Sequence, residues 1–240
     1  MFVYADNAAT TAMSKAAAGA MLPAMQELYG NPSSLHQKGR EANMALMGAR
    51  ETVARCLNAS PKEIYFTGCG TEADNWAILE GARMGAEAGK KHIISDAIEH
   101  HAVLHTLAKL EKQGFDVTYL PVHENGLVRL EELAAAIRPD TCLVTVMFCN
   151  NEIGTLQPVR EIGALCREKG ILFHTDAVQA VGHVPVDVEA DNIDMLSLSG
   201  HKFHAPKGVG ALYCKKSIKL KNFIEGGAQE RGRRGGTAAL

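Results

Sequence analysis

Short apolar runs, several of them hydrophobic on both faces, alternate with helix-period segments along most of this chain. That alternation restricts the fold to helices packed on both sides of a mostly parallel sheet, because only a doubly covered strand can afford apolar side chains on both of its faces. Strand-like stretches are EIYFT (63–67), HIIS (92–95), FDVTYL (115–120), CLVTVMF (142–148), ILFHT (171–175), IDMLSLS (193–199) and VGALYC (209–214). Ahead of the second of these, and overlapping none, residues 36–57 place Ala42, Leu46, Ala49, Val53 and Leu57 on one helical face before EIYFT. Further helices are expected from near Thr71, over 101–113, over 130–137 and over 158–169. The fold class is α/β. The first dozen residues stand outside the alternation and read as part of a second, smaller lobe.

The 240 residues suffice for one large domain, with or without a small appendage. A net charge of -2 argues against nucleic acid or an acidic membrane surface as the main partner. The basic residues near the end (Lys215, Lys216, Lys219, Lys221, Arg231, Arg233, Arg234) read as a solvated face. No leader with a basic and then an apolar region opens the chain, and no apolar run is long enough to span a bilayer. Six cysteines lie scattered without a CxxC pair, which argues against a disulfide framework or a zinc site. The expected compartment is the cytoplasm.

Five short stretches carry potential chemistry, each ambiguous alone. In LSLSGHK (196–202), Lys202 follows an apolar strand, at the sheet edge where ligands bind in such folds. A desolvated amine there loses its proton more easily and can form a Schiff base, although a strand-end lysine is more often a snorkelling surface residue. In ILFHTDAVQ, Asp176 ends another strand with Gln179 three residues on; it is either a helix cap or the carboxylate that keeps a pyridine nitrogen protonated. TGCGTEADN (67–75) joins a strand to a helix, so Gly68, Gly70 and Thr71 can offer an anion backbone N–H groups and a hydroxyl. AIEHHAV (97–103) supplies His100 and His101 for ring stacking or proton transfer; His101 and His105 share a helix face, but nothing is placed to complete a metal site. Asn150 and Asn151, in FCNNEIGT, are turn formers or partners for a ring hydroxyl or a carboxylate. Taken together, a phosphate site, a carboxylate for a ring nitrogen, an imidazole for the ring face and a lysine for an aldehyde describe one cofactor, pyridoxal 5'-phosphate.

With YADNAATT (4–11), GNPSSLH (30–36), IEHHAV (98–103), NNEIGT (150–155), HTDAVQAVG (174–182), SGHK (199–202), PKGVGALY (206–213) and GGAQERGRRGGT (226–237), the chain resembles the NifS/IscS-type cysteine desulfurases of the class V aminotransferase family. The resemblance implies the large domain of a fold type I pyridoxal-phosphate transferase over 14–240, with 1–13 a segment of a small domain otherwise absent. It implies that Lys202 binds the cofactor's aldehyde and moves protons, that Asp176 pairs with the ring nitrogen and that Gln179 contacts the ring hydroxyl. His100 would stack on the ring and Asn151 would lie near the hydroxyl and the substrate carboxylate. Gly70, Thr71, Ser199 and His201 would hold the phosphate, and Thr237 would reach the phosphate of a neighbouring subunit in a homodimer. The implied substrate is L-cysteine, with sulfur passed to an iron–sulfur scaffold or another acceptor protein. Selenocysteine lyase activity and a non-catalytic truncated subunit are the alternatives. Family members continue beyond the GT of the final motif, into a loop that carries the nucleophilic cysteine, so sulfur transfer by these 240 residues alone is not expected. HKFHAPKG and GGT depart locally from the family pattern.

Overall fold

A computed structural model describes residues 1–239. Its centre is a seven-stranded sheet of β1 (Ile64–Thr67), β2 (His92–Asp96), β3 (Asp116–Leu120), β4 (Thr141–Thr145), β5 (Leu172–Asp176), β6 (Met195–Ser199) and β7 (Gly210–Cys214), in the order β1-β7-β6-β5-β4-β2-β3. Strands β2 to β6 pair in parallel, whereas β7 runs antiparallel to both β6 and β1. The mostly parallel expectation holds, and β7 is the reversed strand. Every residue of β2, β4, β6 and β7 is buried, the physical counterpart of their two apolar faces.

Helices cover both faces. One core cluster joins Leu57, Ile64, Val144, Ile162, Phe173 and Leu196 beneath α2 (Gln37–Cys56), α5 (Leu130–Ala136) and α6 (Val159–Lys169). The other joins Trp76, Ile78, Ile93, Leu107, Leu143 and Leu212 beneath α3 (Gly70–Glu87) and α4 (His101–Glu111). Trp76 anchors this second layer, stacking on Phe223 and meeting Tyr65 edge-on, each with centroids 5.5 Å apart. Helix α6 stops at Gly170, whose φ of 65° gives the left-handed cap that lets the chain turn into β5. Beyond β4 the chain remains hydrogen-bonded to β5, from Val146 N to His174 O and from Phe148 N to Asp176 O. That bonding delivers the Asn150–Asn151 turn to the same sheet edge as Asp176.

A further helix, α1 (Lys15–Glu27), precedes the alternation; it buries none of its residues and holds Pro23. The segment before it is tied to the loop after β6. Thr11 N and Oγ1 donate to His201 O at 2.9 and 2.8 Å, and Ser14 N donates to His204 O at 2.9 Å. The basic residues near the end are dispersed into individual contacts: Lys215 with Asp194, Lys221 with Glu87 and Arg234 with Glu72, while Arg231 lies over the Tyr65 ring. Among the described residues no helix is long and apolar enough to cross a membrane.

Candidate active site

The carboxyl ends of β2, β4, β5 and β6 and the amino end of α3 enclose a cavity of about 460 Å³. It lies beside the change of strand order between β2 and β4, where open α/β sheets leave a crevice. Gly70, Thr71, His100, Asn151, Asp176, Gln179, Ser199, His201 and Lys202 all line it. Residues separated by up to 132 positions in the chain (from 70 to 202) therefore meet in one place.

Lys202 closes a short 3₁₀ turn, Gly200–Lys202, directly after β6. Its half-buried amine donates to the Ala8 carbonyl, which also accepts from Gln179 Nε2 at 2.8 Å. Burial lowers the lysine's proton affinity, opposed by the negative charges of Asp176 and Asp6. Asp176 lies at the cavity floor, 6% exposed, with Oδ1 accepting from Val178 N at 2.8 Å. Burial pushes its carboxyl up to about 6, against the pull of that N–H and of Lys202. His100 caps α4, its Nδ1 accepting from Ala102 N at 3.1 Å, which fixes the ring at the cavity edge. Burial first, then His101, Lys202 and His105, lowers its pKa and favours the neutral ring.

At the other end, α3 begins with no side chain capping it, since Cys69 makes no cap hydrogen bond. Its first-turn N–H groups are thus left for an anion. Gly70 permits the close approach of helix to sheet: a Cβ there would come within 2.6 Å of Val178 Cγ2 and 3.3 Å of Ser199 Cβ. Ser199 Oγ is buried with no hydrogen-bond partner, an orphaned hydroxyl beside that helix start. His201 is oriented by Thr10 Oγ1 at 3.1 Å, and burial, Lys202 and Lys207 keep its ring on the neutral side.

The Asn pair divides its work. Asn150 holds the turn, with Oδ1 accepting from Glu152 N and Ile153 N, while Asn151 lines the cavity and donates to Glu152 Oε1 at 3.0 Å. Thr237 does not join the group; it lines a separate apolar cavity of about 550 Å³ between α1, α2 and the segment around Gln229. The rings of His101 and His105 stack at 5.1 Å, exposed on α4. Cys142 and Cys214 are core residues, as their strand positions predict, and Cys69 and Cys149 line the cavity. Burial raises the Cys149 thiol. Sequence reasoning missed Asp74, which faces the cavity from α3, and the Ala8 carbonyl. Asp74 had one signal, its spacing of a single helical turn from Gly70. A backbone carbonyl has none.

The family model described as aminotransferase class-V matches residues 3–232. The cysteine desulfurase IscS of Methanosarcina thermophila is 57% identical over 98% of this chain, and that of Clostridium botulinum (strain Hall) is 55% identical over the same share. The chain spans 58% and 59% of their respective lengths. Among solved structures, one described as a NifS-like protein superposes with a TM-score of 0.96 at 45% identity, covering 99% of this chain and 66% of that one. One described as SspA in complex with cysteine gives 0.94 at 45% identity, covering 98% and 68%.

Proposed function

The chain belongs to the aminotransferase class-V family, and from that membership we propose that it is the cofactor-binding portion of a cytoplasmic, pyridoxal 5'-phosphate-dependent cysteine desulfurase. One observation carries the reading. Lys202, Asp176 and His100 line a single cavity together with the uncapped start of α3 and the unpartnered Ser199 hydroxyl. The residues present suit the cofactor. Asp176 would hold the ring nitrogen, Lys202 the aldehyde, His100 the ring face, and Gly70, Thr71, Ser199 and His201 the phosphate. Gln179 and Asn151 would meet the ring hydroxyl. Bound there, the group would supply an electron sink for a carbanion at the substrate carbon.

The protein's own share is positional and electrostatic. The Asp176 carboxylate, anchored by Val178 N–H, would hold a protonated ring nitrogen through a charge-assisted hydrogen bond of about 1.5–3 kcal/mol. Lys202, its amine biased toward the neutral form by burial, is equipped to take and return a proton beside Asp176. His100, its pKa lowered first by burial, would favour an uncharged ring against the cofactor face. L-cysteine suits this site as substrate, as the cysteine-bound relative supports. Homodimer formation, with Thr237 serving the neighbouring site, and sulfur transfer to an iron–sulfur scaffold or another acceptor protein complete the proposal. The test is a visible absorption spectrum with added pyridoxal phosphate, run beside Lys202→Ala. A lysine-dependent band in the parent that the variant lacks is expected. An identical spectrum from the two proteins overturns the assignment.

A further inference from the structure

A second carboxyl group lies behind Asp176. Asp74 is on α3, one turn beyond Gly70, 1% exposed, and its Oδ1 has no hydrogen-bond partner. Across from it on β5 is His174, fully buried. The imidazole Nε2 is 3.0 Å from Ser197 Oγ and 3.7 Å from Asp74 Oδ1, and Nδ1 is 2.9 Å from Thr145 Oγ1.

The titratable groups around Asp74 are Asp176 and His174 on β5 and, from the β2–α4 segment, Glu99 with Asp96 behind it. Glu99 is 5% exposed, with both oxygens unpartnered. Lys202, the nearest cation of the site, acts on Asp176. Among the described residues no lysine or arginine pairs with Asp74. An ionised Asp74 would place one desolvated anion against another with nothing to neutralise it, and such groups keep a proton instead.

We propose that Asp74 is a positioning residue that retains its proton in the folded protein, a neutral acid behind Asp176 that leaves Asp176 as the anion presented to the cofactor ring. The presentation to the ring rests on the pyridoxal-phosphate reading; the retained proton does not. Burial, then the neighbouring Asp176, holds the Asp74 carboxyl well above its usual range, and burial holds His174 down to about 3. Both directions put the proton on oxygen and not on the imidazole. The Ser197 hydroxyl bonds to the Asp74 carboxyl and opposes the rise without outweighing burial, and the unprotonated His174 Nε2 lies 3.7 Å from Oδ1.

The closing experiment uses the full chain without cofactor. A carboxyl whose proton affinity rises on folding adds stability that is complete below its unfolded value of 3.8 and is lost as pH rises. The folding equilibrium constant of the parent, relative to Asp74→Asn, should therefore fall about tenfold per pH unit from about pH 5 upward, for as long as the folded carboxyl keeps its proton. A flat ratio means Asp74 is ionised and overturns the proposal. The same proton count would arise from an imidazolium–carboxylate pair, so imidazole ¹⁵N resonances of the parent decide its location, with His174 assigned through His174→Gln. Neutral His174 shifts support the proposal; imidazolium shifts overturn it, and neither requires Asp74→Asn to fold. With pyridoxal phosphate added, the pH midpoint of the visible band should move by no more than about 0.3 unit in Asp74→Asn. A fall of about one unit identifies an anion at this position and also overturns the proposal. A band that persists in Lys202→Ala would refute the cofactor assignment while leaving the proton count intact.

Discussion

Glu230→Ala tests the packing that supports the α3 end of the cavity. Glu230 is buried against Arg50 in a two-pronged pair: Arg50 Nη1 and Nη2 donate to the two carboxylate oxygens at 2.7 Å each, and Phe66 N donates to Oε2 at 3.0 Å. Arg50 also lies over the Phe66 ring at 4.7 Å and donates to Ile64 O. Glu230 and Arg231 have φ values of 44° and 60°, left-handed backbone that costs non-glycine residues about 1–3 kcal/mol each unless the surroundings enforce it. Truncating the carboxylate leaves a buried guanidinium with one carbonyl and strips Phe66 N of its acceptor. Breaking a buried pair in this way typically costs about 3–5 kcal/mol. For a chain of this size that corresponds to a fall in Tm of roughly 6–20 °C. Urea unfolding is the assay, with Arg50→Met and the double variant closing a cycle. The double variant should lose clearly less than the sum of the singles. The same segment brings Arg234 to Glu72 at 2.8 Å in the first turn of α3, so Glu230→Ala should also weaken cofactor uptake. A cost below about 1 kcal/mol, or strict additivity, would refute the claim that this pair holds the segment.

Two further outcomes follow from the cavity. Gly70→Ala should cost about 1–3 kcal/mol by urea unfolding and reduce pyridoxal-phosphate uptake, because the added methyl must displace Val178; unchanged values for both would remove Gly70 from the cradle. Because Asp176 titrates near 6, the parent's affinity for pyridoxal phosphate should rise about tenfold per unit up to that pH and then level off, as the carboxyl becomes the anion that the ring nitrogen requires. Without cofactor the sign reverses: the raised pKa stabilises the fold below pH 4 and that contribution is lost as pH climbs through 6. Asp176→Asn should flatten both dependences, and an unaltered affinity profile in the variant would count against its pairing with the ring.

The strands were readable because burial on both faces leaves a local trace, an unbroken apolar run. Strand direction leaves none: β7 is fully buried, as β6 is, yet runs the other way, since its polarity depends on the length and path of the connection after Lys202. Helix α1 escaped the reading because its Ala and Met residues lie on every face, so the half-buried Ala17, Met21 and Ala24 do not stand out against a polar side. Lys202, Asp176 and Gly70 were legible as strand and helix ends, positions at which an α/β sheet offers ligand contacts. Asp74 sits in TEADN and looks like an ordinary polar face; only the close docking of α3 on the sheet turns that face inward. The division between Asn150 and Asn151 was similarly hidden, because either member of an Asn pair can hold a turn.

One physical cause acts on six titratable groups at or behind the cavity. Desolvation raises Asp176, Asp74 and Glu99 and lowers Lys202, His100 and His201, so acids and bases are both driven toward their neutral forms. A ligand bearing both a protonated ring nitrogen and a phosphate supplies the charges the cavity lacks. The first favours the anion of Asp176, and the second meets the unfilled N–H groups of α3. The Ala8 carbonyl, shared between Lys202 and Gln179, holds the two side chains beside the cavity, and such a ligand would compete for them. Binding of such a ligand would therefore be coupled to ionisation. A neutral analogue without the phosphate would fill the same volume while leaving both ends of the cavity unsatisfied.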